Sequence, residues 1–250
     1  MKARALAAIG VLCAAPWLCE SQDAPPSTSG WRFSFEPLAW LGPFSGTVAA
    51  GSSSVTVDLT FKEFFENVDL STALVFEAVH GLWGVNLDLM NVNVSRPAQS
   101  PIFSDAGGDM EFSTTTIASS LAYAFVDREP WRVTATAGAR IWIVNADLFF
   151  DDGTEAIQGE AVVWTDPIVG AGASVAPASR WILRADADVG GFGLASKFTW
   201  QAAARAGYRV GDTWALEFGY RALSVDYSSS GFVYDVVRQG FILGVAVRFQ

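Results

Sequence analysis

The side chains of this sequence that could do chemistry are arginines and carboxylates, and they recur at alternate positions. Within Lys197–Tyr227, Arg205 and Arg209 alternate with Ala204, Ala206 and Tyr208, while Glu217 and Arg221 alternate with Leu216, Phe218 and Tyr220. A period of two places the charges on one face of a strand and the greasy residues on the other. Taking the polar face of every predicted strand gives Arg32, Glu36, Glu77, Asp88, Arg132, Arg140, Asp166, Arg184, Asp186, Asp188, Arg205, Arg209, Glu217, Arg221, Arg238 and Arg248. That is nine basic against seven acidic residues, close to neutral. Gathered in a narrow interior, such a set either pairs off as a salt-bridged filling, because unpaired buried charge is costly, or lines a polar path whose charges select small solutes. Glycines on the same face, such as Gly170, Gly207 and Gly219, serve either arrangement by leaving room or by letting arginines lie flat.

Other chemistries are poorly supplied. The sole histidine, His80, falls in a predicted tight turn at the end opposite the long loops, away from where a Ser–His pair at an outer rim would need its general base. Asp151, Asp152 and Asp226 could form a carboxylate pair, but carboxylates on acidic loops are ordinarily just solvated. Asp147, Asp151, Asp152, Glu155 and Glu160 crowd hard oxygen ligands that would suit Ca²⁺ or Mg²⁺, yet the calcium-loop spacing is not met. The expectation is therefore no catalytic residue, no metal and no cofactor. The net charge of −10 disfavours nucleic acid, which demands a basic stripe.

The elements that must position these charges are long strands. Trp200 and Tyr208 share the apolar face eight positions apart, roughly 26 Å along a strand at about 3.3 Å per residue. Tilted by about 40°, that is roughly 20 Å of height, approaching the ~25 Å apolar band of a membrane barrel. Aromatic residues at strand ends, namely Trp31, Trp131, Trp181, Phe198, Trp200, Tyr208, Trp214 and Phe249, read as interfacial belts. A sugar-binding platform is the alternative for the tryptophans. Ten strands are expected, at about 31–41, 71–80, 83–95, 111–126, 131–149, 160–176, 180–190, 197–210, 213–226 and 236–249, with eight or twelve as alternatives. Long connections (42–70, 95–110, 150–159, 191–196, 227–235) fall at one end and tight turns near 81, 128, 178 and 211 at the other, the asymmetry of outer loops and periplasmic turns. The piece FKEFFENV at 61–68 has apolar residues at helical spacing and suggests a short helix on the rim.

The start of the chain carries Lys2 and Arg4 before the apolar run from Ala5 to about Leu18, too short to span a bilayer and typical of a secretory leader. Cleavage after Ser21 would remove both cysteines, Cys13 and Cys19, together with Lys2, Arg4 and Glu20, taking the net charge from −10 to −11. Residues 22–30 are Pro/Ser-rich and read as a disordered lead-in. The domain plan is thus leader 1–21, lead-in 22–30 and barrel 31–250. At 51% hydrophobic residues but a mean hydropathy of only +0.28, the composition does not suit a helical membrane protein.

Several pieces, WRFSFEPLAWLGPFSGTV at 31–48, WTDPIVGAG at 164–172, DVGGFG at 188–193, GYRV at 207–210, FGYRALSVDY at 218–227 and GFVYD at 231–235, resemble a family of uncharacterised bacterial outer-membrane β-barrel proteins. The last strand, with Phe241, Leu243, Val245, Val247 and Phe249 alternating, is similar to the terminal strand read by the outer-membrane assembly machinery, although Gln250 follows the aromatic. The resemblance implies an all-β, transmembrane antiparallel up-and-down barrel with periplasmic termini and outer-membrane lipid as its surroundings. It offers no catalytic residues. The leading functional reading is a small non-enzymatic outer-membrane protein with a structural or interaction role and a filled lumen. The alternatives are a narrow porin-like channel and a soluble lipocalin-like periplasmic barrel.

Overall fold

The computed structural model of the chain describes residues 30–50, 53–58, 62, 71–96, 108–150, 155–158 and 161–250. The leader and lead-in, the piece FKEFFENV apart from Lys62, and Asp151, Asp152 and Glu160 of the acidic loop lie outside the described residues.

Among the described residues there are thirteen strands: β1 (Arg32–Leu41), β2 (Phe44–Ala50), β3 (Ser53–Asp58), β4 (Ser71–His80), β5 (Trp83–Arg96), β6 (Gly108–Arg128), β7 (Trp131–Phe150), β8 (Glu155–Gln158), β9 (Val162–Ala178), β10 (Trp181–Gly190), β11 (Phe198–Arg209), β12 (Trp214–Ser229) and β13 (Phe232–Phe249). Ten of them close into an antiparallel barrel in the order β1-β4-β5-β6-β7-β9-β10-β11-β12-β13, sealed where β13 returns to β1 with Phe33 opposite Phe249 and Leu41 opposite Phe241. Closure removes every free edge from the barrel wall, which is what allows a sheet to sit in hydrocarbon.

The alternation seen in the sequence sorts the faces. On β12, Trp214, Leu216 and Phe218 are exposed while Ala215, Glu217 and Arg221 are buried. Leu121, Phe125, Val163, Leu216, Phe218 and Phe241 are each more than half exposed on the outer surface. In water, an apolar girdle of that extent would far exceed the few hundred Å² that soluble monomers tolerate. A lipocalin-like barrel would reverse this arrangement, with its apolar face inside and charges outside, so the soluble alternative is corrected. The reason is the parity of the charged residues, which the tight turns hold inward.

Strand length varies around the wall. Ten-residue β10 rises roughly 25 Å at a tilt of about 40°, whereas 21-residue β6 rises roughly 53 Å, so one side of the barrel stands well above an apolar band of ~25 Å. Two connections differ from expectation at that raised end. Residues 227–235 are not a loop, because β12 and β13 continue to Ser229 and Phe232 around the pair Ser230-Gly231, both at positive φ (49° and 83°), as a two-residue hairpin turn requires. The excursion at 42–70 begins as wall: β2 follows β1 along the same edge of β13, with Phe44 opposite Arg238, and turns back as β3. The kink between β1 and β2 is Gly42-Pro43, where Gly42 passes so close to Gly240 that a Cβ on either would strike the opposing backbone.

Candidate functional site

The lumen gathers the charged residues into stacked layers, described from the end where β1 begins, β13 ends and the tight turns lie. Arg32, Arg132, Arg180, Arg209 and Arg248 surround the mouth. Arg132 pairs with Asp127 at 2.6 Å and donates to the Gly81 carbonyl. Arg180 donates to the Tyr208 hydroxyl, and Arg209 to the Ser179 carbonyl.

Above the mouth lies an ion-pair layer that spans the lumen. Glu36 on β1 receives Arg184 at 2.5 Å and Arg205 at 2.6 Å from β10 and β11 on the far wall, and Ser34 supplies a further donor. Glu217 approaches the same Nη1 atoms of both arginines, at 3.2 and 3.6 Å, and Asp186 meets Arg205 Nη2 at 3.3 Å. The side chains of Glu36 and Glu217 are 2% and 1% exposed, so these carboxylates rely on their arginine partners rather than on bulk water. A second layer follows. Arg140 holds Asp188 with two contacts of 2.9 and 3.0 Å and reaches Gln201 and Thr199; Arg221 binds Asp88 at 2.8 Å and shares Gln201.

Higher still, the lumen turns apolar. The indole of Trp40 lies under two guanidinium groups, Arg221 at 5.1 Å and Arg238 at 4.7 Å. Trp142 stacks on Trp164 at 5.6 Å, Trp164 on Tyr227 at 3.9 Å, and Tyr234 meets both tryptophans edge-on while its hydroxyl bonds Thr114 from across the barrel at 2.9 Å. Met90, Val92, Val144, Leu223, Val225 and Val236 fill the gaps and leave a void of only about 20 Å³. Below this seal, a cavity of about 1090 Å³ opens at the mouth. Among the described residues the lumen is a blind chamber rather than a through-path.

Similar solved structures are bacterial outer-membrane β-barrels. The chain resembles the attachment invasion locus protein Ail of Yersinia pestis (13% identity, 87% of this chain and 99% of that one, TM-score 0.41). It also resembles the outer-membrane protease OmpT of Escherichia coli (9%, 89% and 98%, 0.49) and a major outer membrane protein of Thermus thermophilus (16%, 88% and 100%, 0.45). No family model matches the chain. No curated protein matches it either. The chemistry of the lumen therefore rests on the chain's own geometry.

Four of the expected ion-pair members, Glu77, Asp166, Arg209 and Arg238, hold no ion pair to a described residue. Arg238 sits in the apolar seal, bonded to Ser71 and the Trp40 carbonyl. Asp166, wholly inaccessible, instead accepts four donors: the Trp142 and Trp164 indoles at 3.0 and 3.2 Å, and the Ser196 amide and hydroxyl at 2.8 and 2.6 Å. Four charge-assisted bonds make up for the missing cation, and they tie the β10–β11 loop down over the barrel end. Glu77 lines the chamber without an ion pair to a described residue. The strand-end aromatics lie outside: Trp31, Trp131, Trp181, Trp214 and Phe249 are exposed around the mouth end, with Tyr208 against Trp181, and Phe198 and Trp200 stand near the other end of β11. Trp83, the first residue of β5, and Tyr123, in contact at 4.9 Å, complete the lower ring and are not among the aromatics expected there.

The inward aromatics are what sequence reasoning missed. The signal was present: Trp40 shares parity with Glu36, Trp142 with Arg140, Trp164 with Asp166 and Tyr227 with Arg221. The glycines did not resolve as space for solute. At Gly138 and Gly219 a Cβ would collide with the Ser119 and Ala204 carbonyls of the neighbouring strands, so these positions permit close backbone approach in a tightly coiled wall.

Proposed function

We propose that this chain is a non-enzymatic integral protein of a bacterial outer membrane, with a structural or interaction role, whose lumen is closed to solutes. The observation that carries this is the packed layer of Trp142, Trp164, Tyr227 and Tyr234, above two ion-pair layers that bridge opposite walls. The exposed apolar girdle and its lower ring of tryptophans support insertion in lipid, and the terminal strand Val236–Phe249 is the segment offered to the assembly machinery. In this orientation the termini and the chamber mouth face the periplasm. His80 lies against Trp31 at 5.2 Å on the outer wall, which supports a role in packing rather than proton transfer.

The channel reading draws on the chamber, which already hollows the lower half of the barrel, but it requires the aromatic layer to move. Planar-bilayer recording of the refolded mature chain separates the two. Silence is expected from the wild type and from Arg205→Ala/Arg221→Ala, with intermittent openings appearing in Trp142→Ala/Tyr234→Ala. Steady discrete openings of the unmodified protein that change with Arg205→Ala/Arg221→Ala would establish a pore instead.

A further inference from the structure

We infer that the chamber is a binding site for a small oligoanion, one bearing two or more carboxylate, phosphate or sulfate groups, that enters through the mouth at the end where β1 begins and β13 ends. The inference deepens the closed-barrel reading, resting on it only for the compartment that the mouth faces.

Three observations converge. The first is charge placement. The chain as a whole is acidic at −10, yet five arginines ring this mouth, and two of them, Arg180 and Arg209, form no ion pair with any described residue. Asp212 and the chain-terminal Gln250 share the rim without pairing to either. The second is unused hydrogen-bonding capacity. Arg209 Nε and Arg248 Nη2 are buried donors with no acceptor, and the Glu217 oxygen that faces Arg248 is 4.0 Å away, too far for a hydrogen bond. In the layer just above, Glu36 and Asp186 are held by Arg184 and Arg205, and Glu217, with one oxygen that accepts no hydrogen bond, lies nearest Arg248 but beyond hydrogen-bond reach, so the rim guanidinium groups keep donors free toward the chamber. The third is shape. A cavity of about 1090 Å³ that opens among the rim arginines below the aromatic layer is slightly larger than the volumes that ligand pockets ordinarily span and has room for a small molecule. Guanidinium forks pair two oxygens of an oxyanion in a bidentate manner, which selects carboxylate, phosphate or sulfate over halide.

The test is calorimetric titration of the refolded barrel in detergent with inorganic pyrophosphate and with citrate, using sucrose as the uncharged control. Saturable one-site binding of at least one anion is expected, weakening as salt rises, with no heat from sucrose. Arg209→Gln/Arg248→Gln should weaken binding by about tenfold or more, while Arg128→Gln, at the exposed end of β6 outside the chamber, should leave it unchanged. Heat-modifiable migration in SDS confirms that each variant is folded. If the double variant fails that check, exposed Arg180→Gln carries the comparison, with a smaller loss expected. Absence of saturable binding to both anions, or binding that Arg128→Gln weakens and the chamber variants do not, would overturn the inference. The bilayer recording addresses closure separately, so a barrel that conducts and one that merely fails to bind are distinguishable.

Discussion

At the scale of single residues, the lumen shows two ways of keeping a carboxylate charged away from water. Glu36 is held by two arginines, so Glu36→Gln leaves Arg184 and Arg205 with only Glu217 and Asp186 to share. Breaking a fully buried pair costs about 3–5 kcal/mol, and because the chamber admits water to both guanidinium groups, the expected loss is about 2 kcal/mol. A fall in the urea midpoint for unfolding from detergent measures it, and an unchanged midpoint would show that the layer contributes nothing net. Asp166 has no cation, only four donors. Asp166→Asn keeps the size but turns one acceptor into a donor facing donors, and a loss of about 2–3 kcal/mol follows from the worth of hydrogen bonds to charged groups. Ser196→Ala removes one of those bonds and should cost about half as much, in the same assay.

At the scale of elements, the β12–β13 hairpin sets the height of the raised wall. Its turn needs two consecutive left-handed residues, and Ser230 occupies one of them at a cost that glycine would not incur. Ser230→Asn should therefore stabilise the barrel by a few tenths of a kcal/mol, since asparagine tolerates this region better than serine. Gly231→Val should destabilise it by about 1–2 kcal/mol. No atom lies within 4 Å of a Cβ at Gly231, so a clash would not confuse the comparison. Opposite signs for the two substitutions, read as shifts in the heat-modifiability midpoint, are the expected result. The same hairpin carries Tyr227 and Tyr234 into the seal, so the turn that looks most like a loose surface loop helps to close the lumen.

At the scale of the whole molecule, the barrel is an inverted amphiphile: greasy outside, charged within, and sealed near one end. Its tryptophans divide accordingly. Trp31, Trp83, Trp131, Trp181 and Trp214 are exposed around the mouth end, whereas Trp40, Trp142 and Trp164 are buried in the lumen. In vesicles, bromine placed high on the lipid chains should quench the first group strongly, and chain-end bromine should quench it weakly, as expected for residues at an interface. Replacing these five together with the outward Trp200 by Phe should abolish that quenching and leave the fluorescence of the lumenal set. Strong residual quenching after that replacement would contradict the division of faces.

The strands and their faces were legible in the residues because a period of two survives any tertiary arrangement: parity alone put Arg205, Glu217 and Leu216 where they are. Most strand ends were legible too, through the turns that follow His80, Arg128 and Ala178. Two connections at the raised end were not. Ser228-Ser229-Ser230-Gly231 reads locally as a flexible loop, and only pairing across the hairpin makes it strand, turn and strand. Residues 44–58 become wall because β13 is long enough to offer them an edge. Which inward side chains meet was decided by tertiary structure alone. Parity says that Glu36, Arg184, Asp166 and Trp142 face inward, but barrel closure and strand stagger determine that Glu36 meets arginines across the lumen, while Asp166 meets indoles and the amide of a folded-in loop. A period-two pattern fixes a face and carries no information about height around a closed, sheared sheet, and height is what separates the charged chamber from the aromatic seal.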